Sequence, residues 1–67
     1  MEISARNQLP GTVKSVTLGA VMAEVTLDIS GQEVVSAITR SSAERLGLKE
    51  GDSVTAIIKA TEVMIGV

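Results

Sequence analysis

Apolar side chains occupy every second position at Val21, Ala23, Val25, Leu27 and Ile29, alternating with Met22, Glu24, Thr26, Asp28 and Ser30. A period of two sustained this long predicts a strand with one buried face. Gly19-Ala20 before it and Gly31-Gln32 after it each place glycine first in a two-residue loop, the arrangement of a type II′ hairpin turn. The expected unit is a three-stranded meander. Its first strand runs from about Gly11 to Leu18 through Val13, Val16 and Leu18, and the broken alternation at Lys14-Ser15 predicts a bulge. Its third strand runs from about Glu33 to Thr39.

Beyond Arg40 the periodicity changes. Ser41 and Glu44 stand three apart as in a capping box, and Gly47 follows at the position of a left-handed helix stop, so Ser41–Leu46 reads as one short helix. Lys49-Glu50-Gly51-Asp52 is a turn. Ser53–Lys59 returns to strand with Val54, Ala56 and Ile58 on one face, while Ile57 on the other predicts a subunit contact. The tail Val63-Met64-Ile65-Gly66-Val67 reads as a fifth strand with nothing left in the chain to cover it. The sum is an all-β domain, residues 1–67, folded as a five-stranded OB-type Greek-key barrel with one short helix between strands three and four.

Composition decides how such a domain could be stable and what it could do. A chain of 67 residues holds one core at most, and with no Cys and no His it has neither disulfides nor thiolate or imidazole metal sites. Apolar residues make up 45% of the chain and none is aromatic, so many small aliphatic side chains remain to be covered and association is the remaining route to stability. The same absences exclude Cys nucleophiles and a Ser-His-Asp triad. The eight carboxylates fall singly, without the pairing that holds Mg²⁺ or Ca²⁺, and no enzyme is expected.

A net charge of −2 and a lack of aromatic platforms argue against nucleic acid as a partner. No apolar run approaches a bilayer span, and Met1-Glu2-Ile3-Ser4-Ala5-Arg6 lacks the apolar core of a signal peptide, so no membrane partner and a cytoplasmic location are expected.

The remaining chemistry is that of donors. Ser4-Ala5-Arg6-Asn7 precedes the first strand, Thr39-Arg40-Ser41-Ser42 leads into the helix, and Lys59-Ala60-Thr61 follows the fourth strand. Each element edge thus pairs a cation with hydroxyls, a combination that suits an anion. Taken one at a time the same residues are ordinary helix caps, strand edges and solvated charges. Met22 and Met64 read as interface or core filler.

Together these segments resemble the molbindin (Mop) family. Ser4-Ala5-Arg6-Asn7-Gln8-Leu9 with Gly11 looks like its opening signature. Thr39 to Gly51 resembles its helix and following turn, and Ile58-Lys59-Ala60-Thr61-Glu62-Val63-Met64 resembles its C-terminal signature. The resemblance covers essentially the whole chain. It implies a homohexamer that binds molybdate or tungstate between subunits as an intracellular store or buffer, with no organic cofactor and no metal bound except as oxyanion. By the same resemblance Ser4, Ala5, Arg6, Thr39, Ser42, Lys59, Ala60 and Thr61 surround the anion, several through backbone N–H groups, and Gly19, Ala20 and Val21 contribute to a second kind of site. Ala60 stands where many relatives have Ser, so a contact there comes from the main chain, and Pro10 replaces a commoner polar residue. The competing readings are a nucleic-acid-binding OB domain and a purely structural oligomer.

Overall fold

The computed structural model describes all residues, 1–67. Strands β1 (Asn7–Leu18), β2 (Met22–Ile29) and β3 (Gln32–Thr39) are followed by helix α1 (Arg40–Leu46), strand β4 (Ser53–Ile58) and a single 3₁₀ turn at Ala60–Glu62. The sheet is antiparallel throughout with order β3-β2-β1-β4. A meander whose fourth strand returns beside the first is a Greek-key connection.

β1 organises the molecule. Asn7–Thr12 pairs with β4 and Thr12–Leu18 pairs with β2, so one strand serves two neighbours by halves. The bulge falls where the broken alternation placed it: Val13 faces Leu27 and Ser15 faces Thr26, leaving Lys14 as the extra residue. The exposed Lys14 ammonium reaches Glu33 on β3. The hydrogen bond that Lys14 donates to Glu33, then the charge of that carboxylate, raise the Lys14 pKa above the ordinary lysine value. A raised lysine pKa favours the folded state below the unfolded value and stops doing so above the folded one, so this tie is lost only in strongly alkaline solution. Pro10 lies in the half of β1 that has only β4 beside it, where a missing N–H leaves no second ladder broken.

Two turns differ from the expected type. At the second hairpin Ile29 pairs with Gln32, so the loop is Ser30-Gly31, with φ of 51° and 88°. Two consecutive positive φ values make a type I′ turn one residue earlier than the glycine alone suggested, and Gly31 N–H donates to the Asp28 carboxylate at 2.9 Å. At the first hairpin Gly19 does not have positive φ; a three-residue loop, Gly19–Val21, is closed by Gly19 N–H to Met22 O at 2.7 Å. Val21 therefore lies outside β2 and is 72% exposed, so the buried series begins at Ala23.

The helix cap also moves. Thr39, not Ser41, is the N-cap, and its hydroxyl accepts the Ser42 N–H at 3.1 Å. With the helix starting at Arg40, Glu44 is too far along to reach back to the cap and instead pairs with Arg40 at 3.5 Å. The other end is as expected: Gly47 has φ 64°, its N–H donates to Glu44 O at 3.0 Å and Leu48 N–H to Ala43 O at 3.2 Å, a Schellman stop.

The expected fifth strand does not form. Val63–Val67 has no ladder partner and is exposed, and β3 and β4 are not paired, so within one subunit the sheet stays open rather than closing into a barrel. The core is correspondingly small. Val13, Ala23, Val25, Leu27, Ala43 and Ala56 are the only buried residues of 67. Ile57, Val35, Leu46, Met64 and Ile65 are all exposed, which leaves far more apolar surface in water than a stable monomer of this size keeps. No helix is long and apolar enough to cross a membrane.

Candidate functional site

The register of β1 against β4 sets the first half of the site. Asn7, the first residue of β1, pairs with Ile58, the last of β4, so the segments before one and after the other leave the ladder at the same end. Arg6 directly precedes Asn7 and Lys59 directly follows Ile58, so Ser4–Arg6 and Lys59–Thr61 flank the ladder at the same end. Two segments more than fifty residues apart in sequence thus deliver two cations and two hydroxyls to one end of the sheet. All six residues are exposed except Ala5, which is half-buried. Neither Arg6 nor Lys59 has a carboxylate partner; the ion pairs of the chain are Lys14–Glu33, Arg40–Glu44 and Lys49–Asp52.

Backbone donors join them. The 3₁₀ turn forms because Glu62 N–H reaches Lys59 O at 2.9 Å and Val63 N–H reaches Ala60 O at 3.4 Å. The first N–H groups of such a turn, those of Ala60 and Thr61, have no acceptor within it. The alanine at position 60 therefore retains its main-chain donor.

Thr39 and Ser42 lie elsewhere. β3 runs parallel to β1 two strands away, so its end at Thr39 is level with the far end of β1, and Thr39 pairs with Met22 at the start of β2. Between the two groups runs the whole of β1, twelve residues with a bulge at Lys14, in a molecule 33 Å along its longest axis. The eight residues expected around one anion are thus divided within a subunit into Ser4, Ala5, Arg6, Lys59, Ala60 and Thr61 at one end, and Thr39 and Ser42 at the other.

The second cluster has fewer free donors than a bare helix start would offer. Arg40 N–H donates to Val21 O at 2.8 Å and Ser42 N–H to Thr39 Oγ1. The Thr39 hydroxyl donates to Ser42 Oγ at 2.8 Å, which leaves the Ser42 hydroxyl proton unused. Ser42 is, of the two residues expected here, the one whose hydroxyl proton remains free. Arg40 is not available, because its guanidinium lies between Glu44 and Gly19 O, the latter at 3.3 Å. Gly19, Ala20 and Val21 sit directly beside this cluster. Gly19 N–H is engaged with Met22 O, and Arg40 holds the Gly19 and Val21 carbonyls, so only the Ala20 and Val21 N–H groups of that loop remain to give.

Replacing Thr39 by Val keeps the β-branched shape and removes both hydroxyl contacts. We expect the loss of this cap to cost about 1 kcal/mol, read as a fall in the denaturation midpoint at unchanged slope. An unchanged midpoint would remove the cap from the account.

Two side chains that the sequence did not single out also touch the site. Asn7 Nδ2 donates to Ile58 O at 3.2 Å, and Gln8 Nε2 donates to Ala5 O at 2.8 Å. Both belong to the opening signature, but no periodicity or charge marks an amide that acts on a backbone carbonyl. The cations and free N–H groups of the first cluster and the unused Ser42 hydroxyl proton of the second fit an anion, and neither cluster offers a nucleophile activated by a base.

Known proteins of similar sequence and fold point to the family. The TOBE domain model matches residues 3–65. Molybdenum-pterin-binding protein 3 of Clostridium pasteurianum is 56% identical over 66 residues, which cover 97% of each chain. The structure of a molybdate-binding protein from Sporomusa ovata superposes with a TM-score of 0.96 at 48% identity and full coverage of both chains. The molybdate-bound form of ModG, described as a cytoplasmic molybdate-binding protein, gives 0.93 at 50% identity, and this chain spans 48% of its length. Matched nearly end to end by the domain model and by full-length relatives, the chain belongs to the TOBE-domain family, among its Mop-type molybdenum-binding proteins, and is a binding protein rather than an enzyme.

Proposed function

We propose that this chain assembles into a homo-oligomer, a hexamer by its family resemblance, and holds molybdate or tungstate at sites between subunits, storing and buffering the oxyanion in the cytoplasm. The observation that carries this reading is the division of the donors: a cationic cluster around Arg6 and Lys59 at one end of β1 and the Ser42 hydroxyl at the other. Neither cluster encloses anything alone. If the cationic end of one subunit meets the hydroxyl end of another, both are satisfied and the exposed apolar surface between them is covered. The named ligands of the full-length relatives support the same reading.

The donor set also supports the choice of anion. Molybdate is a tetrahedral dianion without a proton at neutral pH, so a shell made only of donors suits each of its oxygens. Phosphate often keeps a proton that such a shell would leave unpaired. Sulfate lacks that handicap and is discriminated by size. Some relatives are named for molybdenum-pterin, but this chain has no Phe, Tyr, Trp or His on which a flat pterin would stack. The bare oxyanion is the better match.

Native mass spectrometry with and without molybdate tests the assembly and the ligand in one measurement. The expected spectrum is a hexamer that gains mass in units of the oxyanion. A monomer, or a hexamer indifferent to molybdate, would leave a structural oligomer or a nucleic-acid binder in its place. Molybdate should also raise thermal stability, by about 2.7 kcal/mol at a hundredfold excess over its dissociation constant, because it binds only the folded assembly. Equal shifts with sulfate and phosphate would indicate a general salt effect.

A further inference from the structure

Asn7 and Gln8 are consecutive, and each donates its side-chain amide to a backbone carbonyl: Asn7 to Ile58 O at 3.2 Å and Gln8 to Ala5 O at 2.8 Å. The two carbonyls share a position in relation to the cations. Ile58 is the residue before Lys59, and Ala5 is the residue before Arg6. Because a peptide unit is planar and trans, the C=O of one residue and the N–H of the next point in opposite directions within one rigid plane. Fixing the Ile58 carbonyl therefore fixes the direction of the Lys59 N–H, and fixing the Ala5 carbonyl does the same for the Arg6 N–H. It also sets where each Cα, and so each cationic side chain, begins.

The Ala5–Arg6 plane lies beyond the Asn7–Ile58 pair, where the ladder has ended, so strand pairing does not orient it; the Ile58–Lys59 plane starts at the last ladder residue of β4 and has no further pair beyond it. Without an additional tie the first would be free to rotate and the second would be held by the terminal pair of the ladder alone. We propose that Asn7 and Gln8 are positioning residues for the anion, one amide setting the peptide plane that carries Lys59 and the other the plane that carries Arg6. The proposal rests on the oxyanion reading above and assigns the two side chains no contact with the anion itself. A pair of rigidly aimed cations discriminates by distance, whereas two loosely held ones attract any dianion. The positioning amides thus govern selectivity as well as affinity.

The test is calorimetric titration of the assembled protein with molybdate and with sulfate, for the parent, Gln8→Met, Asn7→Leu and the control Gln32→Met. Gln8 is exposed, so its replacement leaves the fold intact even if Asn7→Leu, at a half-buried position, does not. Loss of one such hydrogen bond is expected to weaken molybdate binding about 3- to 10-fold. The molybdate-to-sulfate ratio should fall as well, with melting temperature and oligomer size unchanged and Gln32→Met like the parent. Unaltered affinity and ratio in Gln8→Met would overturn the proposal. So would a uniform loss for both anions that tracks a lower melting temperature, since that is the signature of a merely structural role. A parent that binds no molybdate would overturn the functional reading and this one with it, and is distinguished by the parent titration alone.

Discussion

Lys59→Met is expected to bind molybdate about 10- to 150-fold more weakly than the parent while keeping its fold and oligomer size. Lys59 is exposed, has no carboxylate partner and follows directly on the last ladder residue of β4, so its ammonium is held at one end of the sheet with nothing in its own subunit to neutralise it. A compact ammonium with three donors suits one oxygen of a tetrahedral dianion better than a planar fork does. Methionine preserves most of the stem and removes the charge. A charge-assisted hydrogen bond is worth roughly 1.5–3 kcal/mol, which sets the range of the expected loss. Arg45→Met, at an exposed position in the last turn of α1 and outside the candidate set, removes the same formal charge and serves as control. If calorimetry places the two variants equally close to the parent, Lys59 is a solvated surface charge.

Gly11→Ala is expected to be the most damaging single-atom addition in the chain. Gly11 lies in β1 just before the residue that pairs with both neighbours, and β2 crosses it closely: a Cβ there would stand 2.4 Å from the Asp28 carbonyl oxygen and 2.4 Å from Ile29 Cδ1. The side chain of Ile29 could move, but the Asp28 oxygen belongs to the ladder and cannot move alone. Relief requires β1 and β2 to separate over the small core formed by Val13, Val25, Leu27 and Ala56. Overpacking of this kind costs about 1–3 kcal/mol, and a domain of this length has only about 3–10 kcal/mol in total. We expect a loss near 2 kcal/mol or more and a melting temperature lower by about 10 °C. Gly47→Ala provides the comparison, because Gly47 has φ 64° but open space around it, and a left-handed alanine costs only about 1 kcal/mol. A Gly11→Ala protein as stable as the parent, or more stable than Gly47→Ala, would show that the strands separate at no cost.

The local readings that succeeded are those in which a few neighbouring residues determine the outcome. The alternation from Ala23 to Ile29, the bulge at Lys14 and the Gly47 helix stop depend on side-chain period or on a single backbone conformation, and the chain adopts all three. The readings that shifted involve a choice among equivalent local partners. Thr39, Ser41 and Ser42 can all cap a helix, and which one does so depends on where β3 releases the chain; only its pairing with β2 decides that. Gly31 marked a tight hairpin, but whether Ser30 joins it in the loop depends on the register of Ile29 against Gln32. The tail was legible as apolar and not as unpaired, because strand formation needs a neighbour and the subunit provides none.

The candidate site divides in the same way. Residue types alone determined that cations and hydroxyls gather at three element edges and that no His or Cys is present, whereas the fold decided that Arg6 and Lys59 have no carboxylate partner. Which of those donors share one end of the sheet was settled by the antiparallel register of β1 and β4, which ends at Asn7 and Ile58 and so leaves residues 4–6 and residues 59–61 at the same end. The sheet order separates them from Thr39 and Ser42 by the length of β1. Sequence records which groups can bind an anion; only strand pairing, a long-range choice driven by burial of one small core, decides which of them can reach it together.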